Sequence, residues 1–200
     1  MPKFLNFDYV TPVTIKNNEP KFVTDTLSLR RQTVRTGVQR WELTVGFKGG
    51  KSDNLLGALQ AHYMRLGDTA FNFAMPQPFM IDTSDTSVYN PTTGTASGNS
   101  GSTSITLSSA GTYPVGWFIK FSDHNKIYMV TESSGTSLKV APALTQDIVD
   151  VSIVSNQATD ENDSNGVRVR VQHEITNESV TYSEGVLQNV NWTFIESLGW

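Results

Sequence analysis

The chain contains no cysteine, so neither a disulfide nor a thiolate metal site can form anywhere in its 200 residues. Charged residues are also scarce, at 17%, and the formal net charge of −4 is too mild to imply a nucleic-acid or membrane-surface partner. Histidine occurs only at His62, His124 and His173. These fall in different parts of the chain, without a pair at helical or strand ligand spacing, so a metal centre is not expected. There is no apolar run long enough to cross a bilayer, and "MPKFLNFDYV" lacks the apolar stretch of a signal peptide. Direct membrane insertion is therefore not expected, and the chain is expected to be made and folded in a cytoplasm. A strand–GxSxG–helix elbow is missing as well. No cofactor and no enzymatic activity are expected.

What fills the deficit is Ser, Thr, Asn and Gly, a composition that suits a β-rich, turn-rich protein. The charges are unevenly placed. Residues 1–68 hold ten Lys/Arg against six Asp/Glu, and residues 158–200 hold two against seven. A basic first part and an acidic last part can attract each other within one fold or between neighbouring copies.

Strand periodicity dominates. Trp41, Leu43, Val45 and Phe47 alternate with Arg40, Glu42 and Thr44, the period-2 pattern of a half-buried strand. The preceding "LSLRRQTVR" (27–35) reads as its hairpin partner, with Thr36-Gly37 as the turn. Arg30, Arg31, Arg35 and Arg40 then sit on one long hairpin and are the candidate subunit-interface residues, better suited to a protein contact than to reading phosphates. Phe71, Phe73 and Met75 alternate in "TAFNFAMP", Val167, Val169 and Val171 alternate with Arg168 and Arg170, and Val190, Trp192 and Phe194 share one side of a last strand. One helix is expected over about 53–66, with Leu55, Leu59, Tyr63 and Leu66 on a single face, Ser52 or Asp53 as cap and Gly67 as terminator.

Two motifs invite stronger readings that their surroundings do not support. "GGKS" (49–52) follows an apolar run and precedes a helical pattern, as in a phosphate-binding loop. The position of the first glycine is occupied by Val45, and hairpin signals surround it rather than a βαβ unit. It reads as a strand-to-helix turn in which Lys51 is solvated and Ser52 caps the helix. The acidic run "DENDSNG" (160–166) lacks the downstream bidentate Glu of a calcium loop and reads as a solvated linker.

"TTGTASGNSGSTS" (92–104) has linker composition, and a second polar stretch covers 156–166. Between them lie four or five short strand signals: "SITL", "GWFIKF", "KIYMVTES", "SLKV" and "DIVDVSIV". Trp117, Ile119 and Phe121 share one face of the second, and Val149, Val151 and Ile153 share one face of the last. The economical organisation is an inserted small OB-like β-barrel, 92–157, within a discontinuous outer domain made of 1–91 and 158–200. The fold class is thus mainly β: a β-sandwich with one packed α-helix, plus the inserted barrel. An insert with its own core should be removable without unfolding the rest.

The order of hairpin, single helix, "GDTAFNFAMPQPF" (67–79) and linker-bounded barrel resembles the distal tail proteins of long-tailed bacteriophages, in particular the siphophage type with an inserted OB-like domain. "SGSTSITLSSAGTYPVGWFIKFSDHNKIYMVTESSGTSLKVAPAL" (100–144) resembles a segment recurring in phage tail proteins, although Val115-Gly116-Trp117 replaces the usual turn and lacks its Asp. "WTFIESLGW" (192–200) resembles their short last strand. The resemblance implies a tail-tube-like β-sandwich forming a homo-oligomeric, hexameric ring at the virion tail tip. That ring would join the tail tube protein to the baseplate hub protein and carry the barrels outside, after assembly in the host cytoplasm, with no sequence-specific nucleic acid as partner. The alternatives are a carbohydrate-binding host-adsorption module of the tail tip, a tail-tube or terminator subunit, and a small envelope hydrolase. The larger carbohydrate-binding region of many relatives has no counterpart before Trp200.

Overall fold

Alternating large apolar and polar side chains generate most of the strands in the structure, a computed structural model. It describes residues 3–4, 7–8, 13–25, 31–35, 39–47, 61–62, 69–78, 84–92, 94–160, 162–173, 182–183, 186–187 and 190–198. The first strands are β1 (Lys3–Phe4), β2 (Phe7–Asp8), β3 (Val13–Asn18), β4 (Lys21–Asp25), β5 (Arg31–Arg35), β6 (Arg40–Phe47) and β7 (Phe71–Ala74). Then follow β8 (Thr95–Gly98), β9 (Ser104–Leu107), β10 (Phe118–Phe121), β11 (Ile127–Ser134), β12 (Ser137–Ala141) and β13 (Ile148–Val154). The last are β14 (Asn156–Gln157), β15 (Gly166–His173), β16 (Tyr182–Ser183), β17 (Val186–Leu187) and β18 (Val190–Glu196).

A six-stranded sheet runs β14-β15-β18-β6-β3, with β7 also paired to β15. Its main pairs are antiparallel, so residues opposite one another share a face. Trp192 lies opposite Val45, and Phe194 opposite both Leu43 and His173. Val169 lies opposite Phe73, and Ile15 opposite Leu43. These side chains form one apolar face, and all of them except the partly buried Ile15 are buried. The other face is polar and carries the exposed Lys16–Glu42 ion pair. The periodicities read from Trp41, Val167 and Trp192 therefore specify the core face correctly. Phe47 and Val190 lie in their strands, but their side chains fall outside the described residues.

The barrel is closed, in the order β10-β11-β12-β9-β8-β13. Ile119, Phe121, Tyr128, Val130, Leu138 and Val140 are among the side chains filling it. It has one strand more than the five expected. The additional strand, β8, is "TASG", inside the stretch read as linker, and it pairs with β9 and β13. Val149 is a second correction. A bulge between Ile148 and Val151, with Asp150 at φ 53°, turns Val149 outward to 74% exposure, while Ile148, Val151 and Ile153 keep the inner face.

The hairpin expected from 27–35 and 40–47 is not formed. Arg31–Arg35 is a strand, but its partner is β4, with Lys21 opposite Arg35 and Asp25 opposite Arg31. β6 pairs instead with β3 and β18. Alternation specifies that a segment is extended but not which edge it meets, so the nearest strand signal misled. Of the helix expected over 53–66, only Ala61 and His62 are described, too short a piece to show a packed helix. The "GGKS" turn, with Lys51 and Ser52, lies outside the described residues.

The linker after the barrel is tighter than a solvated tether. Asn156–Gln157 pairs in parallel with Gly166–Val167. A Cβ on Gly166 would sit 2.2 Å from Ala158 Cα, so this close approach requires glycine. In the acidic run, Asp160 Oδ1 accepts from the Asn162 N–H (2.8 Å) and Asp163 Oδ1 from the Asn165 N–H (3.0 Å). These side-chain turns use the carboxylates to shape the loop. Asp163 is held below the usual carboxylate range chiefly by the Thr159 backbone N–H.

Candidate functional site: assembly surfaces and the barrel junction

β4 and β5 form a separate two-stranded sheet, and every described side chain on it is exposed. Phe22 is 69% exposed, and Val23 beside it is exposed too. The pair has no third strand among the described residues, and an isolated two-stranded pair is marginal in water. Among the described residues β3 has only β6 as neighbour, which leaves its outer edge open. An open edge is a template for another strand.

The four candidate arginines do not gather on one hairpin. Arg31 and Arg35 lie on β5, Arg40 is exposed on β6 opposite Asn18, and Arg30 is outside the described residues. Arg40 belongs to a different setting, the seam between sheet and barrel.

At that seam three segments meet through polar groups with almost no access to water. Lys126 Nζ, just before β11, donates to Glu196 Oε2 at the end of β18 (2.5 Å), and also to the Gln39 carbonyl (2.9 Å) and side-chain Oε1 (2.5 Å). Both charged side chains are buried, at 2% and 0% exposure. Glu196 accepts further bonds from the Trp41 N–H (3.1 Å) on Oε2 and from the Ile127 N–H (3.0 Å) on Oε1. The Trp41 indole N–H donates to the Ile127 carbonyl (2.9 Å). Burial pushes the Lys126 ammonium below its ordinary range, Glu196 offsets part of that, and the nearby Arg40 charge adds to the lowering.

A second contact lies along the same seam. The Gln77 side-chain amide donates to the Phe118 carbonyl (2.9 Å) and accepts from the Phe118 N–H (2.8 Å), as a neighbouring strand would. Phe118 turns its ring out of the barrel onto Trp41, edge to face at 5.2 Å. Phe118 and Ile127 are thereby counted in the sheet's core, with Met129 and Val154 packed against it.

Sequence reasoning missed Glu196, although a signal was present: it continues the inward phase of Trp192 and Phe194. It also treated the histidines as isolated. His62 stacks on Trp192 at 5.8 Å and meets Phe71 edge-on at 4.8 Å, while the His173 ring is 4.8 Å from Trp192. Burial, reinforced by His173, lowers the His62 pKa from 6.5 to about 4. These two histidines are thus core groups facing one indole. In the barrel, His124 bridges Asp123 (2.6 Å) and the Tyr128 hydroxyl (2.9 Å), and that hydroxyl also meets Thr145 Oγ1 (3.2 Å). The order resembles a proton relay, but Tyr128 is fully buried, so no substrate reaches its oxygen.

Where the chain passes between barrel and sheet, a groove of about 370 Å³ is lined by Pro91, Thr92, Val154, Ser155, Asn156 and Asn165 among others. The nearby rings of Tyr89 and Trp117 lean on each other and are buried, so neither offers a stacking surface to a sugar. No protein-family model matches this chain, and no curated protein matches it in sequence.

Proposed function

We propose that the chain is a structural subunit of a phage tail tip, a distal tail protein whose sheet domain assembles into a hexameric ring with the barrels outside. The observation that carries this reading is the β4–β5 arm, with Phe22 and Val23 exposed next to basic side chains. A neighbouring copy that covers the arm completes its burial, and the β3 edge, which no described strand covers, offers a second place for strands to meet. In this reading the closed barrel is of the OB-like kind, the sheet domain is a tail-tube-like sandwich with its helix packed on the core, and the tail tube and baseplate hub proteins are the axial partners. The buried Tyr89 and Trp117 weigh against the carbohydrate-binding alternative.

Electron microscopy and light scattering of the purified protein test the assembly. Rings are expected, alone or with the tube or hub protein added. Phe22→Asp combined with Arg31→Glu should abolish them while changing the melt of the monomer little, since both side chains are exposed. A strictly monomeric chain that also fails to join tail tips in reconstitution overturns the reading.

A further inference from the structure

The junction holds an ion pair that ordinary stability arguments do not require. Taking a carboxylate and an ammonium out of water costs several kcal/mol each, and their attraction returns this only with excellent geometry. Here the geometry is excellent: Lys126 has three acceptor contacts, and Glu196 has two backbone N–H donors besides the ammonium. The ammonium nevertheless stays below its ordinary pKa, so burial together with the Arg40 charge outweighs what Glu196 returns. Around the pair, Trp41, Phe118 and Ile127 already supply apolar contact between barrel and sheet. Apolar surfaces adhere without choosing one relative rotation, because the hydrophobic effect is non-directional. A buried charge pair is directional: any attitude of the barrel that separates Lys126 from Glu196 leaves two desolvated charges uncompensated.

We propose that Lys126 and Glu196 form a registration device, which holds the barrel in one attitude on the sheet and adds no net stability. The two side chains sit 70 residues apart in sequence, one at the start of a barrel strand and one at the end of a sheet strand. Gln39 and the backbone N–H groups of Trp41 and Ile127 fit them as a socket fits a key. The device acts within one chain, whether or not copies assemble.

The test exploits the lack of native cysteine. Lys16→Cys and Lys139→Cys place one spin label on the exposed face of the sheet and one on the barrel. Labelled chain is diluted with unlabelled chain, so that only distances within one molecule are read. The parent should give a single narrow distance distribution. Lys126→Met with Glu196→Gln removes both charges but keeps an acceptor at 196 for the buried N–H groups, so it should melt within a few degrees of the parent or above it, yet give a broadened or two-peaked distribution. Glu196→Gln alone should lower Tm by about 10 °C, since it leaves the ammonium buried without its counter-charge. A double variant with an unchanged narrow distance shows that packing and the Gln77–Phe118 and Trp41–Ile127 hydrogen bonds set the attitude without the ion pair, and overturns the proposal. A double variant that loses its cooperative melt, or falls as far as Glu196→Gln alone, shows that the pair supplies stability and overturns it equally.

Discussion

The barrel strands occupy one contiguous stretch, 95–154, and close on themselves, whereas the sheet strands are gathered from both sides of that stretch and, among the described residues, end at an edge with no further neighbour. The barrel's core is built from its own residues, Ala96 to Ile153. The sheet's core borrows Phe118, Ile127, Met129 and Val154 from the barrel, and its last inward residue, Glu196, is neutralised by a barrel lysine. Among the described residues, the barrel's interior is filled from its own strands, while the sheet's core includes side chains from the barrel's outer face.

Deleting 95–154 and bridging with Gly and Ser should have the largest effect. Contrary to the expectation from sequence, the remaining sheet should lose its cooperative melt by circular dichroism, because Trp41 is uncovered and Glu196 is left without Lys126. A sheet that still melts cooperatively at the parent temperature would remove the asymmetry altogether. Trp41→Ala sharpens the comparison at a single position. The ring is buried against Phe118 and its N–H is bonded to the barrel, so the loss should be about 3–5 kcal/mol in denaturant unfolding.

Acid should weaken the sheet before the barrel. His62 is held neutral in the fold, with its pKa lowered from 6.5 to about 4. The unfolded chain thus takes up this proton first as pH falls. Its contribution is complete above about pH 6.5, is lost between 6.5 and 4, and stays lost below, a total on the order of 3 kcal/mol. Denaturation midpoints at pH 7 and pH 5 should differ accordingly, and His62→Leu should flatten the slope. The smallest effect belongs to the barrel surface. The Lys139–Glu132 pair spans 2.7 Å but is about half exposed on both sides, so Lys139→Ala should cost under about 0.5 kcal/mol.

The parts legible in the sequence are those where one face is apolar at strict period 2, as in Val167-Val169-Val171 or Leu43-Val45. Burial writes that pattern directly into the residues. β8 escaped because Thr, Ala, Ser and Gly offer no large side chain to alternate; only Ala96 needs to be apolar in the barrel's interior. Val149 was misread because a bulge shifts the phase by the insertion of one residue, which periodicity alone does not locate. The arm was misassigned since the alternation of "RQTVR" marks it as extended without naming its partner, which is "KFVTD" (21–25) and not the strand that follows. The junction was the hardest to see. Lys126, Glu196 and Gln39 are residues normally assigned to the surface, and only their meeting in three dimensions makes their burial tolerable.

The meeting of both ends of the barrel at the groove bears on the order of folding. Thr92 and Asn156 line the same groove, so a folded barrel brings together the two chain positions from which the sheet must continue. The pairings inside it are comparatively local, while the sheet joins groups as distant as Trp41 and Glu196, 155 residues apart. Local contacts form faster than distant ones. A barrel that closes first shortens the loop between β7 and β15 from about ninety residues to an effective span of about thirty-five, which lowers the entropic cost of pairing the two strands by about 1 kcal/mol. The inserted barrel then acts on the unfolded sheet as a covalent clamp would, and early collapse of residues 95–154 would set the rate at which the rest of the chain finds its register.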